Sequence, residues 1–132
     1  MVDIETRTVN ESDYHALSRV GNFELSVDAT GEEGPTPNQV LVADYASCFT
    51  FACRAGARRE LDVDLGRVET DASADLDDSE DLESVRFDIQ IEASLEDDQI
   101  DELVEIGKDI CHVHAAVRDD LLTDIEVTVD AF

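Results

Sequence analysis

Cysteine and histidine are the side chains here with the most chemistry open to them, and the chain has three of each. A cysteine thiolate is a nucleophile and a metal ligand. Cys48 sits in Tyr45-Ala46-Ser47-Cys48-Phe49. Read alone, it is equally a small buried hydrophobe, as free cysteines often are. Cys111 opens Cys111-His112-Val113-His114, a grouping that invites a zinc reading. Structural zinc takes four ligands, commonly as two close pairs, and His15, His112, His114 and the cysteines are not spaced that way. Cys48 and Cys53 are five residues apart, so on a helix they point about 140° from one another. No metal and no cofactor is therefore expected. Cys53, between Ala52 and Arg54, lies in no motif and is read as a core residue without a role.

The elements that must carry these residues are legible from periodicity. His15–Val20 and the alternating Asn22–Asp28 read as a hairpin about Val20-Gly21-Asn22. Gly31–Gly34 is a loop. At Thr36-Pro37-Asn38-Gln39 a helix begins: Thr36 as N-cap, Pro37 at the first helical position, Gln39 completing a capping box. From Val40 to about Arg59 small and apolar residues cover much of the circumference, which predicts a helix buried on more than one side. Two strands follow, roughly Asp64–Leu76 and the stretch with Val85, Phe87, Ile89, Ile91 and Ala93 alternating. A second helix runs from about Asp97 toward Cys111, and a further helical stretch reaches Leu121. Ile125, Val127, Val129 and Ala131 alternate in a closing strand. This order predicts an α+β fold: an antiparallel sheet, a long buried central helix and a second helical pair, in a single domain over residues 1–132.

Two of these segments resemble the signatures of the OsmC/Ohr family. Gly34-Pro35-Thr36-Pro37-Asn38-Gln39-Val40-Leu41 followed by Tyr45-Ala46-Ser47-Cys48-Phe49 is similar to the family's G-x-x-P-x-x-L helix opening and its first reactive cysteine, with Val40 in the Leu position. Cys111-His112-Val113-His114 ahead of a closing strand is similar to its second cysteine segment, with His112 where Pro is common. The resemblance covers about Gly21 to the end. It implies a thiol peroxidase in which Cys48 reduces organic hydroperoxides or hydrogen peroxide and becomes a sulfenic acid. Cys111 then closes a disulfide, and an external dithiol reductant reopens it. It further implies an intertwined homodimer with the site at the subunit interface, an arrangement that would cover an apolar helix in so small a chain.

The family's peroxidase branch places a carboxylate just after the helix-start proline, where it holds an arginine over the thiolate. Here the neighbourhood reads Pro37-Asn38-Gln39, without a carboxylate. Asn38 and Gln39 are candidates to hold the arginine by neutral hydrogen bonds, and Arg19 or Arg7 in the N-terminal strands to supply it. Tyr45, with Asp44 one turn before Cys48, is a candidate to edge the pocket, although core packing also accounts for it. His112 and His114 read either as surface polar residues or as one of them lining the site, His112 being the candidate carried forward. The rival to the enzyme is a non-catalytic OsmC-like redox-sensing or small-molecule-binding protein that keeps the fold and lacks the activating charge.

Charge narrows the partners. The 132 residues include 34 acids against 9 Lys and Arg, a formal net charge of −25. Such a field repels nucleic acid and anionic membranes and is what a protein of a salty cytoplasm would carry. No stretch approaches the roughly 18 apolar residues of a membrane span, and no secretory leader is visible, so a cytoplasmic protein without nucleic-acid or membrane partners is expected.

Overall fold

The computed structural model describes residues 2–132. The chain divides into two compact units, residues 2–41 and 42–132.

The first unit is a three-stranded antiparallel sheet in the order β1 (Thr6–Val9), β2 (His15–Val20), β3 (Phe23–Asp28). The expected hairpin is present: Val20 faces Phe23, and Gly21 takes φ +60° at the first position of the two-residue turn, a conformation open to glycine without a Cβ penalty. The loop after β3 is built on buried Asp28, whose carboxylate accepts bonds from the Thr30 hydroxyl and main chain at 2.7 and 2.8 Å and from the Glu33 N–H at 3.1 Å. Those donors, the Thr30 hydroxyl foremost, hold its pKa below the usual carboxylate value.

Helix α1 (Pro37–Gly56) starts at the end of this unit. Its capping box forms as the sequence requires: Thr36 Oγ1 accepts from the Gln39 N–H at 3.2 Å, and Gln39 Oε1 accepts from the Thr36 N–H at 2.9 Å. The helix then widens into one π-helical turn, Ala57–Leu61, stopped by Asp62 in the left-handed region.

In the second unit, β4 (Val68–Leu76), β5 (Leu82–Ile91) and β6 (Leu122–Thr128) form a sheet in that order. β4 begins four residues later than expected, because Asp64 caps the Gly66 N–H and Gly66 turns at φ +69°. β5 has the predicted alternation. Val85, Phe87, Ile89 and Ile91 are buried, while Arg86 on the opposite face donates to Asp88, Asp124 and Glu126 at 2.7, 2.5 and 2.6 Å. All pairings from β1 to β5 are antiparallel, as expected; β6 departs from that pattern and runs parallel to β5. The reason lies in α2 (Asp97–Ile110) and α3 (His112–Ala116), which carry the chain back along the sheet and supply the crossover a parallel pair needs. α3 stops at Ala116 and not near Leu121, because Val117 leaves helical geometry for an extended conformation.

The core lies within this unit. Tyr45, Phe49, Ala52 and Cys53 of α1 meet Val85, Phe87, Ile89 and Ile91 of β5, with Leu65, Leu103 and Cys111. Tyr45 and Phe49 flank Phe87, with centroids at 4.9 Å and 5.6 Å. Burial of α1 is narrower than its composition suggests. Phe51, on the face away from this core, is 68% exposed, since one chain covers only one side of the helix.

Candidate functional site

α1 places Tyr45 and Cys48 one turn apart, facing the core from its middle. Cys111 occupies the break between α2 and α3, ending the first helix and capping the second. Its own N–H donates to the Gly107 carbonyl at 2.9 Å, the last bond of α2. Its sulfur accepts the N–H of His114 at 3.3 Å. Cys111 is 1% exposed, and Cys48 is among the neighbouring groups that act on its thiol. Two cysteines 63 residues apart in sequence (111 − 48) thus meet at one core cluster. Cys48 is the more accessible of the two, half-buried at the core's edge, while Cys111 lies wholly inside.

Burial dominates the electrostatics. It pushes the Cys111 thiol up to about 11; the His114 N–H works against this, and the neighbouring Cys48 adds to it. Cys53, fully buried, is pushed up to about 12 by burial and by Cys111. It faces the core, as its sequence context suggests. The Tyr45 hydroxyl is likewise raised by desolvation, against a bond to Thr123.

That hydroxyl sits in a small polar network. It lies 2.5 Å from His114 Nδ1 and 3.1 Å from Thr123 Oγ1 on β6. His114 is therefore the histidine that meets Tyr45. His112, the candidate read from the sequence, is exposed at the start of α3. The helical repeat explains the exchange: the residue three beyond Cys111 comes back over the same turn as the sulfur, and its immediate neighbour points away. That rule applied to the sequence would have selected His114. No local signal marks Thr123, which arrives through strand pairing.

The remaining candidates belong to the first unit. Arg19 is an exposed strand residue in register with Arg7 and Glu24. Gln39 is engaged in the capping box, and Asn38 is half-buried in the first turn of α1. Among the described residues no cluster of His, Cys, Asp and Glu has the geometry to hold a metal ion, and no helix is long and apolar enough to cross a membrane. Chemically, the arrangement is a dithiol. A half-buried sulfur, Cys48, neighbours a buried one, Cys111.

Comparison with known proteins bears on the family and the fold. The family model of OsmC-like proteins matches residues 29–130. An uncharacterized protein of Haloferax volcanii is 52% identical over 132 residues, covering 100% of both chains. Among solved structures, an OsmC-like protein from Mycoplasma pneumoniae superposes with a TM-score of 0.85 at 14% identity, over 97% of each chain. The organic hydroperoxide resistance protein OhrB of Bacillus subtilis superposes with a TM-score of 0.71 at 21% identity, over 96% of this chain and 98% of that one.

Proposed function

From the premise that the chain belongs to the OsmC-like family, we propose that it is a thiol-dependent peroxidase working through Cys48 and Cys111. The gathering of Cys48 and Cys111 at one core cluster, from segments far apart in sequence, supports this reading. The Cys48 thiolate attacks the distal oxygen of a hydroperoxide. The O–O bond breaks, the sulfur is oxidised to a sulfenic acid, and the departing alkoxide takes a proton to leave as alcohol; hydrogen peroxide leaves water instead. The Cys111 sulfur then displaces hydroxide from Cys48, which leaves as water with the proton that Cys111 gave up, and the disulfide forms. An external dithiol restores both thiols by exchange. The hydroperoxide-resistance proteins among the structural neighbours favour organic hydroperoxides as the substrate class.

The same reading makes the protein a cytoplasmic homodimer of a single OsmC-like domain, in a salt-adapted organism. Phe51, exposed on α1, supports burial against a second copy, and the acidic composition and the Haloferax relative support the salt adaptation. The test is hydroperoxide consumption with a dithiol, paired with mass spectrometry of the quenched protein. Cys48→Ser should abolish turnover, and Cys111→Ser should drive Cys48 on to sulfinic acid. Peroxide treatment that leaves the native protein with neither a Cys48 sulfenic acid nor a Cys48–Cys111 disulfide would overturn the assignment and favour a non-catalytic binding role.

A further inference from the structure

Tyr45 and His114 stand in a symmetric relation to the two sulfurs. Tyr45 precedes Cys48 by three residues on α1, and His114 follows Cys111 by three on α3. Each is therefore about one helical turn from its cysteine. The two are joined to each other at 2.5 Å. A side-chain hydrogen bond thus ties together the two helices beside the cysteines.

Satisfying the phenol does not require this bond. Tyr45 is 1% exposed and needs a partner, but Thr123 Oγ1 already provides one at 3.1 Å. Nor can packing alone fix α3 firmly. The helix is five residues long and has no fully buried side chain. Its Cys111 end must stay aligned with Cys48 through a change from thiol contact to covalent bond, which shortens the sulfur–sulfur distance to about 2.05 Å.

We infer that the Tyr45–His114 hydrogen bond is the positioning device of the cysteine pair, holding α3 on α1 so that Cys111 closes onto Cys48 ahead of competing oxidation. Tyr45 and His114 are positioning residues in this scheme and exchange no electrons. The inference rests on the cysteine-pair reading above, but not on peroxide being the oxidant.

The experiment equilibrates the full-length protein in glutathione redox buffers and reads the Cys48–Cys111 reduction potential by thiol trapping. The same variants are then given peroxide, and the ratio of disulfide to sulfinic acid at Cys48 is measured. Tyr45→Phe and His114→Ala should each lower the equilibrium constant for closure about tenfold, a shift of about 30 mV toward a more oxidising potential, with a matching rise in sulfinic acid. His114→Asn, which keeps a polar atom near the Nδ1 position, should recover most of the loss. The double variant Tyr45→Phe/His114→Ala should be no worse than either single, since both remove one interaction. Thr123→Val separates positioning from folding: it removes the other partner of Tyr45 and should lower the unfolding midpoint while leaving the potential near that of the native protein. Unchanged potentials in Tyr45→Phe and His114→Ala, an equal shift in Thr123→Val, or a native protein whose pair does not close in oxidised glutathione would each overturn the inference. A pair that closes in glutathione but gives no Cys48 sulfenic acid with peroxide defeats the peroxidase reading and leaves the positioning inference standing.

Discussion

Cys111 and Cys53 are buried sulfurs whose protons the fold retains well past the ordinary thiol range, to about 11 and about 12. An unfolded thiol loses its proton near pH 8.5. Above that value the folded chain binds more protons than the unfolded one, so stability falls as pH rises. Their contribution is complete below about pH 8.5 and is lost progressively up to the folded values, at roughly 1.4 kcal/mol per pH unit for each thiol. Urea unfolding at pH about 7, 9 and 10.5 should show this decline, and Cys53→Ala should shallow its slope whatever it does to stability at neutral pH. An unfolding free energy independent of pH across that window would mean the sulfurs are solvated. The sequence marks Cys48 and Cys111 because each lies within a motif. It is silent on their environment, because the core they meet is assembled by Phe49, Phe87 and Leu103 from three separate elements. His114 was within reach of the sequence through its three-residue offset from Cys111.

At the scale of elements, close helix packing depends on two glycines. A Cβ on Gly107 of α2 would lie 2.9 Å from Phe49 Cζ and 3.0 Å from Cys53 Sγ. One on Gly56 of α1 would collide with the Ile106 side chain. The helices approach closely because these positions lack side chains, and the core sulfurs are packed into the space. Gly107→Ala should therefore destabilise by roughly 1–3 kcal/mol through overpacking, despite alanine's better helix propensity, which denaturant titration would measure directly. A stabilised variant would show that the packing around Phe49 is loose. Local signals foretold much at this scale. The Thr36/Gln39 capping box, the Gly21 turn and the alternation of β5 are all short-range patterns with one physical solution. The parallel pairing of β6 and the early end of α3 were not legible, because both follow from where a distant strand sends the chain.

At the scale of the whole molecule, the net charge of −25 sets the conditions under which the rest holds. Self-repulsion among carboxylates opposes compactness, and salt shortens its reach from about 10 Å at 0.1 M to about 3 Å at 1 M. The unfolding midpoint should rise on the order of 10 °C over that range, the response to a relief of a few kcal/mol; a midpoint that falls with salt would contradict the adaptation. The Arg86 cluster is one local exception, since a single arginine there pairs with three carboxylates at short range. The parallel strand has a kinetic consequence. β6 meets β5 only after the 30 residues between Ile91 and Leu122 have folded back, so it is a late partner in a chain whose other strand pairs are local hairpins. Until it arrives, Thr123 is absent from Tyr45. Newly made protein should then pass through an interval in which Cys48 is already displayed on its helix while Tyr45, one turn away, lacks its strand partner. Oxidative injury to this sulfur would fall most heavily on chains still completing their fold.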